Sequence, residues 1–223
     1  MAKLINERPL YLIAQYVYYF LIVNLQFLLA NSLFIISLFL FEWTLDNILL
    51  FYLVLLPAGP SLASLYATMG KLIRTKDVRP FLDFWLYYKK LFRIGLTYWA
   101  IQWTVIVILL VDIRYANIHM STLSPALWVL LIFSLFIMLY AVPILTRFEV
   151  RIKNLLLVSV YSIFKFFKTT LLHLSTLLSH IIIYLFAPSF SILFFMSATA
   201  FFIMFNMRKP FEIMEKELVK DVS

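Results

Sequence analysis

Residues 56–66 have the sequence Leu56-Pro57-Ala58-Gly59-Pro60-Ser61-Leu62-Ala63-Ser64-Leu65-Tyr66 and lie within an apolar run at about residues 47–69. Pro57 and Pro60 lack backbone amide hydrogens and oppose a continuous helix. The run is therefore predicted to be a helix that is kinked, or split into a short first half and a longer second half. In lipid, the backbone groups freed at such a break are tolerated only against other protein or a water-filled cavity. What packs around this break therefore decides how the helices are arranged.

The composition is that of a membrane protein. Of 223 residues, 64% are hydrophobic and 13% are charged, and the mean hydropathy is +0.97. One soluble core of this length could not bury so much apolar surface. Cysteine is absent, which excludes disulfides, thiolate metal ligands and a thiol nucleophile. The net charge of +8 comes from basic residues scattered between apolar runs, so we predict no nucleic-acid partner.

The sequence predicts an all-α, polytopic transmembrane helix bundle that forms a single domain over residues 1–223. Crossing about 30 Å of hydrocarbon takes roughly 20 apolar residues in a helix. Six such runs are present, at about residues 15–41, 47–69, 94–111, 124–146, 170–187 and 189–207. The last two are separated by a turn that is predicted at Pro188. No signal-peptide cleavage site follows the first run, so it is expected to remain as a membrane anchor.

Basic residues between the runs predict the orientation, because loops rich in Lys and Arg stay in the cytoplasm. Almost all of these residues lie in alternate loops. We therefore predict a multi-pass protein of the cytoplasmic membrane with both termini in the cytoplasm. An even number of spans is therefore favoured; the alternative is that the last pair is one broken helix with a re-entrant piece. The loops assigned to the cytoplasm hold Lys3, Arg8, Lys71, Arg74, Lys76, Arg79, Lys89, Lys90, Arg93, Arg147, Arg151, Lys153, Lys165, Lys168, Arg208, Lys209, Lys216 and Lys220, and the outer loops hold Arg114, Glu42, Asp46 and Asp112.

Two loops on the cytoplasmic side are predicted to contain amphipathic helices. Residues 80–93 place aromatic side chains on one face and charged ones on the other, which is typical of an interfacial helix that binds membrane lipids. A second linking helix is predicted at about residues 154–168, and the tail from Arg208 is predicted to be a short solvated helix. The aromatic face holds Phe81, Phe84, Trp85, Tyr88 and Phe92, and the charged residues are Asp83, Lys89, Lys90 and Arg93.

The broken second run has two interpretations. Gly59, Ala63 and Ala67 are spaced by four and would form a small-residue ridge for close packing against another helix or a partner, with Pro57 and Pro60 at its start. Alternatively, a helix that begins at Pro60 would present its first amides and the hydroxyls of Ser61 and Ser64 to a polar ligand. Packing is favoured, because a single broken span lacks the paired broken helix expected of transporters.

Polar residues within the other runs are predicted to bond between helices. Asn24 and Asn31 lie seven residues apart on one face of the first run, and each is expected to hydrogen-bond to a neighbouring helix, with a polar ligand as the alternative. His173 and His180 share a face of the fifth run without a carboxylate beside them, which makes a poor metal site.

No catalytic constellation is present in the sequence. All eleven Asp and Glu lie near the ends of runs, in loops or in the tail, whereas ion-coupled carriers usually need an ionisable group within the membrane. We therefore predict no enzymatic activity, no cofactor and no metal site.

The order of several short motifs resembles the YesL-like family of bacterial integral membrane proteins, a domain of unknown function. The first block runs from Pro57 to Tyr66 and continues through Lys71-Leu-Ile-Arg74, Phe81-Leu-Asp-Phe-Trp85 and Lys89-Lys-Leu-Phe-Arg93. The second block comprises Tyr140-Ala-Val-Pro143, Arg147-Phe148-Glu149, Asn154-Leu155 and Phe167-Lys-Thr-Thr170. The resemblance covers about residues 21–178. The chain departs from the family at Leu55-Leu56-Pro57, where members usually have a small, threonine-led entry to the turn.

The resemblance implies an association with carbohydrate uptake, because family members are typically encoded beside binding-protein-dependent sugar importers in Gram-positive bacteria. The chain has neither the cytoplasmic Glu-Ala-Ala loop of a permease subunit nor a nucleotide-binding motif. We therefore expect a non-enzymatic accessory subunit that packs against the permease subunits of an ABC-type sugar importer. The alternatives are a small stand-alone transporter or facilitator, which could self-associate, and a cell-envelope assembly factor.

Overall fold

The computed structural model describes the backbone of residues 9–220 and the side chains of residues 10–217. Within these residues the protein is all-helical and contains no β-strand. A 3-10 turn at Leu45–Asn47 precedes the third helix. Lys3 and Arg8, which are predicted to lie on the cytoplasmic side, are outside the described residues. The helices are α1 Pro9–Ala30, α2 Ser32–Leu40, α3 Ile48–Val54, α4 Ala58–Thr75, α5 Pro80–His119, α6 Ser124–Arg147, α7 Ile152–Lys165, α8 Phe167–Phe186, α9 Pro188–Ile192, α10 Phe195–Asn206 and α11 Arg208–Lys220.

Four helices in the described part of the chain are long and apolar enough to cross a membrane: Leu10–Ala30, Pro80–His119, Ser124–Arg147 and Phe167–Phe186. A fifth candidate span results if the bent pair α3 and α4 counts as one. The sixth predicted run is divided between α9 and α10. Since α10 has 12 residues and a length of about 18 Å, it does not by itself reach across the hydrocarbon layer.

The predicted split of the second run is present. Helix α3 ends at Val54, α4 begins at Ala58, and the segment that contains them bends by 53°. Pro57 stands just before α4, and Pro60 lies in its first turn, where a missing amide hydrogen removes no intrahelical bond. The two prolines are therefore compatible with the end of α3 and with the start of α4.

Helix α4 occupies the centre of the bundle. Every residue from Ala58 to Gly70 is buried, and the helix packs against α1, α5, α6 and α10. A helix surrounded in this way has no lipid-facing side. The small residues predicted as a ridge lie in this buried stretch, where Ala63 and Ala67 are 0% and 3% exposed.

Helices α4 and α5 touch through their backbones at two glycines. A Cβ atom at Gly59 would lie 2.5 Å from the carbonyl oxygen of Gly95 and closer still to the Cβ of Trp99. A Cβ atom at Gly95 would in turn lie 3.1 Å from the Cα of Pro60. The indole Nε1 of Trp99 donates a hydrogen bond of 2.8 Å to the carbonyl oxygen of Leu55, at the break itself. The crossing therefore joins α5 to the backbone of the break, where the carbonyl oxygen of Leu55 also accepts from the amide of Ala58 at 3.0 Å.

The first predicted run, residues 15–41, is two helices rather than one. Helix α1 starts earlier than predicted, at Pro9, and it is separated from α2 at Asn31. The side-chain Nδ2 of Asn31 donates 2.8 Å to the carbonyl oxygen of Phe27, which its own backbone amide also contacts. Asparagine side chains that compete with backbone amides in this way interrupt helices.

The predicted separation between an interfacial helix at residues 80–93 and a third span at residues 94–111 is wrong. One unbroken helix of 40 residues, about 60 Å long, runs from Pro80 to His119. No proline interrupts it, and Gly95 stays helical because its backbone lies against α4.

The packing of the first turns of α5 also differs from the predicted lipid-facing arrangement. Phe84 is fully buried and Asp83 is 5% exposed, whereas Phe81 and Phe92 are exposed. The carboxylate of Asp83 accepts a bond of 2.7 Å from Lys71 Nζ and one of 2.9 Å from the backbone amide of Arg79. The ion pair between Lys71 and Asp83 joins α4 to the start of α5. Asp83, which was predicted to lie on the charged face, is therefore part of an internal contact.

The C-terminal helix α11 packs against the bundle and is not simply solvated as predicted. Phe211 and Met214 are buried. The carboxylate of Glu215 accepts bonds from Arg147, and that of Glu217 accepts bonds from Lys165. The hydrogen bond to Glu217 raises the pKa of Lys165 above its usual range. The ends of α6, α7 and α11 therefore lie together.

We predict that Gly59→Ala destabilises the protein strongly, while Gly70→Ala does not. The new methyl group at residue 59 would meet the backbone of Gly95 and the Cβ of Trp99, which cannot move aside, at a cost of about 1–3 kcal/mol. At residue 70 it would meet the flexible ends of Met204 and Arg74. The melting temperature of each purified variant in detergent, followed by fluorescence-detected size exclusion, measures this. Equal melting temperatures would contradict the backbone contact.

Candidate functional site

The hydroxyls predicted as ligand contacts at the broken helix bond within the protein. Ser61 Oγ donates 3.0 Å to the carbonyl oxygen of Ala58 and accepts a bond of 2.8 Å from Asn31 Nδ2. Ser64 Oγ donates to the carbonyl oxygen of Phe84. Both serines are fully buried. The start of α4 is thus enclosed by α1 and α5, and its polar side chains are used to hold those helices.

Asn24 bridges α1 to the junction between α9 and α10. Its Nδ2 donates 2.9 Å to the carbonyl oxygen of Ile192, and its Oδ1 accepts from the amides of Met196 at 3.1 Å and Ser197 at 3.2 Å. These amides belong to the first turn of α10, where no intrahelical acceptor exists. One side chain therefore satisfies both sides of the break between the two helices.

The two histidines of α8 have different surroundings. His180 Nδ1 lies 2.8 Å from the carbonyl oxygen of Thr176. His173 is fully buried, its ring meets that of Tyr140 edge-on at 5.3 Å, and neither of its nitrogens has a hydrogen-bond partner among the described side chains and backbone. Within residues 10–217, no group of three or more His, Asp or Glu is placed to hold a metal ion.

The aromatic residues predicted for the interfacial helix form a continuous row at the start of α5. The ring centroids of Phe84 and Trp85 are 5.4 Å apart, those of Trp85 and Tyr88 are 5.3 Å apart, and those of Tyr88 and Phe92 are 5.7 Å apart. The row passes from the buried ring of Phe84 to the exposed ring of Phe92. The basic residues Lys89, Lys90 and Arg93 are exposed beside it.

A groove with a volume of about 440 Å³ lies between α8 and the pair α9 and α10. The α8 wall carries three hydroxyl groups and one imidazole beside Ile183, the opposite wall is mostly aromatic, and the surface of the groove is mainly apolar. The residues of this groove, called the α8 groove below, include Ser175, Thr176, Ser179, His180, Phe190, Ser191, Phe194, Phe195, Ala198 and Phe202.

Two hydroxyl residues of the α8 wall, Ser175 and Ser179, are exposed where a membrane helix normally presents apolar side chains. Ser175 and Thr176 each donate to the carbonyl oxygen of Leu172, whereas Ser179 has no partner within the described residues. The hydroxyl of Ser191 is buried and likewise unpartnered there. The spacing of Ser175 and Ser179 by four, with Thr176 and His180 beside them, is the signal in the sequence from which this wall could be predicted. The aromatic wall could not be assigned without the fold.

A family model described as "Protein of unknown function, DUF624" matches residues 20–113. The chain is similar to that family from α1 to most of α5, which includes the broken helix and the contact between Gly59 and Gly95. The match covers less than half of the chain, and the α8 groove and α11 lie beyond it. No curated protein and no solved structure matches the chain.

We predict that Asn24→Leu lowers stability by about 2 kcal/mol, because three hydrogen bonds between helices are lost at roughly 0.6 kcal/mol or more each. Asn206→Leu is the matched control, since the amide of Asn206 makes one bond of 3.3 Å, to Thr176. Thermal unfolding of both purified variants in detergent checks the difference. If Asn206→Leu is as damaging as Asn24→Leu, Asn24 does not hold the break between α9 and α10.

Proposed function

We propose that the protein is a non-enzymatic accessory subunit of a bacterial ABC-type carbohydrate importer, located in the cytoplasmic membrane of a Gram-positive bacterium. The link to carbohydrate uptake is what the resemblance to the YesL-like family implies. The match of residues 20–113 to a family of unknown function overlaps the first block of that resemblance, residues 57–93, and is compatible with it.

The proposed topology has six passes with both termini in the cytoplasm. In it, α1 with α2, α3 with α4, and α9 with α10 are spans interrupted by a break, while α5, α6 and α8 are continuous. Two features support this. Asn24 supplies the hydrogen bonds that a break between α9 and α10 needs inside lipid. The ion pairs from Glu215 to Arg147 and from Glu217 to Lys165 place α11 at the same end as the basic ends of α6 and α7.

The α8 groove is the observation on which the accessory role rests. Helix α8 is the least enclosed of the candidate spans, with 17% of its apolar window buried. In lipid, helices associate through small residues that allow close approach and through hydrogen bonds from Ser, Thr and His. Ser175 and Ser179 have the spacing of such a contact, and acyl chains offer no acceptor to Ser179. A transmembrane helix of a permease subunit is the occupant that fits both features.

A stand-alone facilitator would need a polar path at the broken helix. There, the indole of Trp99 donates a hydrogen bond to the carbonyl oxygen of Leu55, and the hydroxyls of Ser61 and Ser64 form hydrogen bonds inside the bundle. We therefore expect that the purified protein in liposomes carries no sugar. Uptake of radiolabelled mono- and disaccharides into these liposomes measures this, and a saturable flux above that of empty liposomes would favour a facilitator instead.

The accessory role predicts that affinity purification of the tagged full chain in mild detergent recovers permease subunits of a sugar importer. Ser179→Phe fills the α8 groove and should reduce this recovery at least about tenfold, the equivalent of roughly 1.4 kcal/mol. Ile181→Phe is the matched control, because Ile181 is an exposed residue of the same helix that does not line the groove. Mass spectrometry with isotope-labelled standards quantifies the recovered subunits.

Two outcomes would contradict the proposal. If the unmodified chain recovers no importer subunit, the accessory role is wrong. If the subunits are recovered equally well with Ser179→Phe, the α8 groove is not the contact. The melting temperatures of both variants must equal that of the unmodified chain, so that a lost partner is not mistaken for a lost fold.

A further inference from the structure

Three arginines from separate parts of the chain meet at a small cleft of about 160 Å³ at the basic end of the bundle. Arg74 comes from the last turn of α4, Arg147 from the end of α6 and Arg208 from the start of α11. The cleft, called the arginine cleft below, is lined by Gly70, Ile73, Arg74, Arg147, Met204, Arg208, Phe211, Glu212 and Glu215. It is separate from the α8 groove, with which it shares no residue.

The three guanidinium groups are not equally neutralised. Arg147 donates through Nε and Nη2 to one carboxylate oxygen of Glu215, at 2.8 and 2.6 Å. Arg208 stacks on the ring of Phe205 with a separation of 4.0 Å, and Glu212 follows it by four residues on the same face of α11. Arg74 has no ion pair or side-chain hydrogen bond within the described part of the chain. Three positive charges against two negative ones leave the cleft cationic.

The absence of a side chain at Gly70 leaves room for the guanidinium of Arg74 beside the backbone of α4. A Cβ atom at residue 70 would be 3.0 Å from Nη1 of Arg74, so the guanidinium lies close over the backbone of α4, on the side facing α10 and α11. Arg74 and Arg208 line the cleft together with Arg147 while remaining exposed to solvent. Like charges brought together in this way repel each other, and Glu212 and Glu215, which also line the cleft, balance two of the three positive charges.

We propose that the arginine cleft binds a phosphate group, as a monoester or diester. Guanidinium groups present several N–H donors in a plane and bind phosphate oxygens in pairs. A cavity of this volume is below the usual size for a drug-sized ligand and suits a small anionic group whose remainder extends outward. The phosphate can belong to a phospholipid head group at the membrane surface or to a soluble phosphorylated compound. Arg74 supplies the free donors and Arg208 the second cation.

The distribution of basic residues expected from membrane topology explains why arginines occur at this end, but it does not explain their convergence. Lys209 is adjacent to Arg208 and carries the same charge, yet it does not line the arginine cleft. It therefore provides a matched control, since topology and general attraction to an anionic membrane treat the two residues alike.

The test uses the full chain purified in a neutral detergent. Native mass spectrometry counts bound phosphatidylglycerol and phosphatidylcholine, and thermal unfolding is measured separately with inorganic phosphate and with phosphatidylglycerol. For the unmodified chain we expect one tightly bound phosphatidylglycerol, or stabilisation by inorganic phosphate. Arg74→Gln should weaken this binding about tenfold or more, as expected for the loss of a charge-assisted bond, and Lys209→Gln should leave it unchanged.

The results separate the two sources of phosphate. Retention of phosphatidylglycerol that Arg74→Gln abolishes assigns the cleft to a lipid head group, while stabilisation by inorganic phosphate alone assigns it to a soluble compound. The proposal is overturned if neither probe binds, or if Lys209→Gln weakens binding as much as Arg74→Gln. Should Arg74→Gln melt at a lower temperature than the unmodified chain without ligand, Arg208→Gln replaces it, and unchanged binding in that variant overturns the proposal equally.

Discussion

The close crossing of α4 and α5 is the contact on which the rest of the bundle depends. In lipid there is no hydrophobic gain from bringing two apolar helices together, so association relies on van der Waals contact and on hydrogen bonds between helices. Gly59 and Gly95 let the two backbones touch. At the same place Trp99 donates a hydrogen bond to the carbonyl oxygen of Leu55, which lies in the break between α3 and α4. One crossing thus provides close contact and makes the break in the chain tolerable.

Most of the polar side chains inside the bundle serve the same purpose at other breaks and crossings. Asn31, between α1 and α2, bonds to Ser61 at the start of α4, and Asn24 joins α1 to the junction of α9 and α10. Gln102 donates 3.0 Å from α5 to the carbonyl oxygen of Ser134 in α6. In each case an amide side chain reaches a polar group that the receiving helix exposes. These residues therefore hold the helices together. The surfaces that remain for binding lie at the periphery, on α8 and at the basic ends of the helices.

Local patterns in the sequence predicted the features that local chemistry controls. The length of the apolar run predicted a helix at residues 124–146, which agrees closely with Ser124–Arg147, and the prolines predicted the break before α4 and the turn before Pro188. The errors occurred where tertiary contacts decide. Packing against α4 keeps Gly95 helical and buries Asp83, so the predicted interfacial helix merges with the third span. The arginine cleft was not predictable, because its residues come from α4, α6 and α11 and only the fold brings them together.

Helix α10 connects the two peripheral surfaces. Ala198 and Phe202 line the α8 groove, and Met204, half a turn further along, lines the arginine cleft. The helix is only 12 residues long, and its ends are held by Asn24 at the start and by α11 beyond Met207. A short helix that is fixed at both ends moves as a unit if it moves at all. Arg208 follows the last residue of α10 by two positions, so the arginine cleft lies at the end of the helix that contributes Ala198 and Phe202 to the α8 groove.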